Sequence, residues 1–188
     1  SETLPSITNV GTLNVTAKAE NKNYKDVTVD YTLKVTRKAV TVTADNKSKV
    51  FGEKDPELTA TVTGTIGKDT VEYTLSRKAG EDVGTYTITP SGKAEQTNYK
   101  VTYATGTLTI TKAETMTLTP ELTGKDAEKE YDSKPLSGGA TASVTKGTKI
   151  TYSTDGGKTW SETLPSITNV GTLNVTAKAE NTNYKDVT

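Results

Sequence analysis

Few side chains in this sequence have the chemistry for catalysis or ligand binding. There is no cysteine and no histidine, which removes disulfides, thiolate nucleophiles, zinc sites of the usual donor types and every histidine-based acid–base arrangement. Hydroxyls, carboxylates and lysines remain. Two acidic groups are dense enough to weigh, Glu53 with Asp55 and Glu57, and Asp126 with Glu128 and Glu130. Paired carboxylates can work as acid and base or bind calcium. Lysines alternate with both groups, so solvated turns are expected. The densest pattern is Ser153-Thr-Asp155-Gly-Gly157-Lys-Thr-Trp160, or S-x-D-x-G-x-T-W. Serine and aspartate bond turn amides, glycine admits positive φ, and tryptophan packs beneath the turn. Ser153, Asp155, Gly157 and Trp160 are therefore expected to fasten a hairpin. No catalytic, metal-binding or cofactor-binding residue is expected, and an enzyme is the weakest reading.

Composition bounds the partners. Lys plus Arg and Asp plus Glu balance at 23 each, so no basic face of the kind a phosphate backbone requires is expected, and nucleic acid is not an expected partner. No apolar run is long enough to span a membrane. The apolar share is 31% and threonine is about one residue in five. Threonine is β-branched and can face water or a thin core, so small, shallow β cores are expected.

The elements that would hold these residues follow from period-two alternation. Val27, Val29, Tyr31, Leu33 and Val35 share one face, with Thr28, Asp30, Thr32, Lys34 and Thr36 on the other. Leu13, Val15, Ala17 and Ala19 define a preceding strand, and the polar stretch Asn21 to Asn23 supplies the turn. Further strands read at 40–44, 58–63, 71–75, 85–89, 99–103, 107–111, 116–119 and 149–153. Asp55 to Leu58, with Pro56 at a first helical position, is the best place for a short helical turn. The expected class is all-β, with small Ig-like or elongated sheet domains joined end to end in a rod. The alternative is α+β with one short helical turn per domain.

Repeats dominate the organisation. Ser1 to Thr28 recurs as Ser161 to Thr188, differing only at Lys22 versus Thr182, a period of 160 residues. Copies this alike point to a long tandem array. A fainter repeat lies inside: Val10-Gly-Thr, Asn23-Tyr24-Lys and Tyr31-Thr-Leu-Lys-Val-Thr are echoed by Val83-Gly-Thr, Asn98-Tyr99-Lys and Gly106-Thr-Leu-Thr-Ile-Thr. Two related domain types, A and B, would therefore alternate. The expected division is 1–39 as the C-terminal half of a type A domain, 40–113 as a complete type B domain, and 114–188 as the N-terminal part of the next type A domain. The alternation changes phase between Val35 and Val40, which marks a new sheet or bulge. Neither junction holds Gly, Pro or a Ser-rich run, so little freedom between neighbours is expected.

Ala39-Val-Thr-Val-Thr-Ala-Asp45, Val50-Phe-Gly-Glu-Lys-Asp-Pro-Glu-Leu58, Val83-Gly-Thr-Tyr86, Asn98-Tyr99 and Gly106-Thr-Leu-Thr-Ile-Thr-Lys112 together resemble the MBG-type repeats of large bacterial surface proteins. The outer segments look like divergent relatives. The near-identical copies are similar to the tandem stalk repeats of Gram-positive adhesins. The resemblance implies an extracellular, wall-attached structural spacer with no catalytic or ligand residues. The Ser153 to Trp160 pattern resembles the Asp box of sialidase propellers, but a propeller would carry several at a spacing of about 40 to 50 residues. Leu4-Pro-Ser-Ile-Thr8 departs from the sortase signal in its threonine position and missing glycine, and Asn14, Asn46 and Asn174 head glycosylation-type triplets.

Several partners are expected of such a chain. Neighbouring repeats come first, with host glycans or proteins met through other domains. The competing class is an adhesive module that grips host glycan, mucin or protein by avidity. Against it, Tyr24, Tyr31, Tyr99, Tyr103, Tyr152 and Tyr184 mostly fall at inward strand positions or at one recurring turn. Complementary half-domains would also allow head-to-tail swapping between molecules. A lysine-to-asparagine isopeptide cross-link beside a buried acid is a further chemistry open to such a chain, although no one pair stands out.

Overall fold

A computed structural model describes residues 3–120 and 126–188; residues 1–2 of the first expected segment and 121–125 of the last lie outside the described residues. The described chain is all-β, with no helix. By internal contact it divides into two compact units, one of Ser1–Lys47, Glu57–Ala79 and Tyr86–Leu108, the other of Ser48–Pro56, Gly80–Thr85 and Thr109–Thr188.

The first two strands, β1 (Gly11–Asn21) and β2 (Tyr24–Val35), form an antiparallel two-stranded sheet. Its register sets Leu13 opposite Leu33, Val15 opposite Tyr31, Ala17 opposite Val29 and Ala19 opposite Val27. One face is thus wholly apolar, while Thr12, Asn14, Thr16 and Lys18 meet Lys34, Thr32, Asp30 and Thr28 on the other.

Next come β3 (Lys38–Ala44), β4 (Lys47–Val50), β5 (Ala60–Thr63), β6 (Thr74–Arg77), β7 (Gly84–Ser91), β8 (Glu95–Gln96), β9 (Tyr99–Ala104) and β10 (Gly106–Thr111). They make two four-stranded sheets, ordered β5-β3-β9-β8 and β4-β10-β7-β6. In the first, β3 runs parallel to β9 and antiparallel to β5. Even-numbered residues of β3 point inward: Val40 and Val42 pack with Val71, Tyr99 and Val101, flanked by Ala60, Val62, Tyr73 and Tyr103. Ile88, Leu108 and Ile110 are also fully buried. Gly64 has φ +99, and a Cβ there would stand 2.6 Å from the Ala39 carbonyl oxygen, so only glycine fits this turn.

The remaining strands are short: β11 (Leu118–Pro120), β12 (Leu136–Ser137), β13 (Ala140–Ala142), β14 (Lys149–Ser153), β15 (Ser166–Ile167) and β16 (Thr176–Glu180). They pair as β11 with β13, β12 with β15 and β14 with β16. Their core is Met116, Ala142 and Ala179, bordered by Leu118, Val144, Ile150, Tyr184 and Val187.

Three expectations are corrected. No helical turn forms at Asp55 to Leu58; the residue before a proline is pushed toward extended backbone, and the Asp55 carboxylate is taken by Lys49. The strand expected at 71–75 begins at Thr74, because Val71 enters the core from a loop. Tyr24 and Tyr31 are 78% and 41% exposed, although Tyr99 and Tyr152 are buried as core residues.

Candidate functional site

The Ser153 to Trp160 turn forms around one carboxylate. Ser153 ends β14 and is buried; its hydroxyl donates to Asp155 Oδ1 at 2.7 Å and accepts from the Gly157 amide at 2.8 Å. Asp155 also accepts from the amides of Lys158 and Thr159, each at 3.0 Å, and from the Thr159 hydroxyl at 2.6 Å. Gly156 and Gly157 supply φ values of 74° and 86°, and the Trp160 indole donates to the Gly157 carbonyl at 3.1 Å. Paired backbone bonds between Tyr152 and Ser161 close the hairpin. The Thr159 hydroxyl first, then its amide and the Ser153 hydroxyl, hold the Asp155 carboxyl well below the usual carboxylate range. Both oxygens of Asp155 face protein donors, so the group serves the turn rather than a substrate.

The other expected carboxylates do not converge. Among the described residues no group of three or more acidic side chains could hold a metal ion. Glu53 accepts from the Val50 amide, and Asp55 turns to Lys49. Lys49, only 3% exposed along its side chain, donates to Asp55 at 2.8 Å, Glu81 at 2.5 Å and the Glu53 carbonyl at 3.1 Å. Asp55 first and Glu81 second raise its pKa above the usual lysine range. The site therefore favours ammonium, the form unable to attack a carboxyl or carboxamide carbon.

A different feature recurs through the chain, built on the asparagines that precede Tyr99 and Tyr184. Asn98 Oδ1 accepts from the Val10 amide at 2.9 Å, and its Nδ2 donates to Asn9 Oδ1 at 3.0 Å. Asn183 Oδ1 accepts from the Val83 amide at 2.8 Å, and its Nδ2 donates to Asp82 Oδ1 at 2.9 Å. The main chain completes each clasp. The Asn98 carbonyl accepts from the Lys38 amide and the Asn183 carbonyl from the Ala113 amide, both at 2.9 Å. Lys38 then pairs in parallel with Tyr99, and Ala113 with Tyr184. Each clasp lies within one compact unit.

One asparagine thus ties the loop before a Val-Gly-Thr segment to Lys38 in one clasp and to Ala113 in the other. Lys38 and Ala113, beside the two expected domain boundaries, are each bonded on one side to the residues around that asparagine, which restricts the backbone there. A cation follows the same pattern: Arg37 lies 3.4 Å from Glu95, and Lys112 donates to the Asn181 carbonyl at 3.1 Å and lies 3.6 Å from Asp186. In sequence, the Asn-Tyr recurrence reads only as a turn. The partners lie 88 and 100 residues away, a distance no local pattern carries.

An all-β chain with repeated clasps, a fastened turn and no convergent reactive groups among its described residues has the character of a repeat module. Residues 40–109 match the family model of the MBG domain, YGX type, a structural repeat family found in surface-associated proteins. Comparison with curated proteins and with solved structures returned no match. Among the described residues, no helix is long and apolar enough to cross a membrane.

Proposed function

We propose that the chain is part of the stalk of a bacterial cell-surface adhesin or similar fibrous exported protein, and that its function is to project a binding head from the cell. The carrying observation is the duplicated clasp, Asn98 on Asn9 and Val10, and Asn183 on Asp82 and Val83. A module that binds host ligands has no need to fasten its junctions; a spacer does, because reach is lost when junctions bend. Each repeat contacts only its neighbours in such arrays, so copy number sets length. The exposed tyrosines Tyr24 and Tyr31 lie toward the apolar side of one hairpin rather than on a polar binding platform. In an intact cell-surface protein, deleting repeats while keeping the head should reduce adhesion to host cells. An unrelated stiff spacer of equal length should restore it. Failure of that spacer to rescue adhesion would mean that the repeats themselves bind.

A further inference from the structure

Tension along a chain loads its strand pairings in one of two ways, and the topology of the first compact unit selects the more resistant one. Two paired strands pulled from the same end come apart one rung at a time. Pulled from opposite ends they must slide, and the evenly spaced rungs of a parallel ladder then resist together. β3 and β9 run parallel, in register from Lys38–Tyr99 through Thr43–Ala104. The chain enters β3 at Lys38 and leaves β9 at Ala104, which lie at opposite ends of that ladder. A pull along the chain therefore drags β3 one way and β9 the other, and all six residue pairs share the load.

The surroundings of the ladder oppose sliding. Neither strand contains proline or glycine, so every rung keeps its amide. β3 is an interior strand whose other side pairs antiparallel with β5, from Thr41–Thr63 to Ala44–Ala60, and it cannot move without breaking that second ladder. Val40 and Val42 on β3 pack with Tyr99 and Val101 on β9 in one buried cluster. A slip of one residue would turn them outward, and a slip of two would carry them out of a close-packed core. On the outer face the Thr102 hydroxyl accepts from Thr41 and donates to the Val40 carbonyl, each at 3.2 Å. The Lys38 amide on the Asn98 carbonyl closes the entry, and past β9 the Thr107 amide donates to Asn46 Oδ1, both at 2.9 Å. The second compact unit repeats the entry, with Ala113 paired in parallel with Tyr184.

We propose that the parallel β3–β9 ladder is a load-bearing clamp, and that a further function of this repeat is to carry tension along the chain without unfolding. This goes beyond the spacer reading, which requires length and stiff junctions but no resistance to force. Forced unfolding follows the unfolding rate rather than equilibrium stability. The clamp is therefore read in the force that breaks it and in how that force depends on the direction of pulling.

Cysteine handles test this in a chain that has no cysteine of its own. Thr36, Thr97 and Thr105 are exposed; Thr36 precedes β3, Thr97 lies in the turn before β9, and Thr105 follows β9. Handles at Thr36→Cys and Thr105→Cys pull the full chain so that the ladder slides. Handles at Thr36→Cys and Thr97→Cys pull the same two strands from one end, so that the ladder peels. In single-molecule pulling at one loading rate, the sliding geometry should unfold at about two- to sixfold higher force, six being the limit of equal sharing among the residue pairs. Thr102→Val removes the hydroxyl rung on the outer face, and should lower the sliding force while leaving the peeling force, set at the Lys38–Tyr99 end, unchanged. Equal forces in the two geometries, or a lower force on sliding, would overturn the clamp. Such a result would leave the spacer reading standing, because adhesion rescue by an unrelated spacer tests that reading separately.

Discussion

Replacing Asn183 by alanine removes two hydrogen bonds and no apolar contact, which makes it a sharp probe of the junction. The bonds removed are those to the Val83 amide at 2.8 Å and to Asp82 at 2.9 Å. A typical intramolecular hydrogen bond contributes about 0.5–1.5 kcal/mol net, so the pair contributes about 1–3 kcal/mol. At about 1.4 kcal/mol per factor of ten, clasp opening should become about 5- to 140-fold more frequent. Asn183 is only partly buried and water can replace part of the loss, so the lower half of that range is expected. Amide hydrogen exchange reads the donor directly. The Val83 amide should lose about 5- to 30-fold in protection, while the Ile88 amide in β7 and the Val101 amide in β9 keep theirs. Asn183→Asp adds a second test. It places a carboxylate against Asp82, whereas Asn98→Asp faces the neutral Asn9. At pH 7 the first variant should be the more labile, and the difference should shrink below about pH 4, where the added carboxyl is protonated. Unchanged Val83 protection in Asn183→Ala, or equal lability of the two aspartate variants at pH 7, would refute the clasp.

Other consequences follow from the same geometry. The pKa of Asp155 is lowered, so its contribution is present above the unfolded-state value of about 4 and is lost as pH falls through the folded-state value. The single tryptophan, Trp160, reports that turn; its emission should redden with an acid midpoint below pH 4, and Asp155→Ala should redden it at neutral pH. Gly64→Ala should lower stability by at least about 1–3 kcal/mol from the φ +99 backbone alone, measured by urea unfolding, because the added Cβ also meets the Ala39 carbonyl. Lys49→Met leaves Asp55 and Glu81 without their shared cation; melting temperature should fall, and fall further at pH 7 than at pH 4.

Strand content was largely legible because apolar residues alternate with threonine or lysine, as in β3, β9 and β10. The phase change between Val35 and Val40 marked a passage from one sheet to another. The turn around Asp155 was legible because its bonds span only a few residues. Other features were not. The β4 strand Lys47–Val50 has weak alternation, and its Lys49 is buried by ion pairing rather than by apolarity. The asparagine clasps depend on partners far along the chain. The two copies of one 28-residue segment could not be told apart by sequence, yet β14 buries one and the other stands open.

The claim that matters most is that the junctions are stiff. Small-angle X-ray scattering on arrays of one, two and three complete 160-residue repeats tests it directly. The account predicts that the maximum dimension grows by a constant step, about 66 Å per repeat if each of two domains contributes strands of about 10 residues along the axis. Growth that lags toward a square-root dependence on repeat number is the behaviour of flexibly linked beads, and would contradict it.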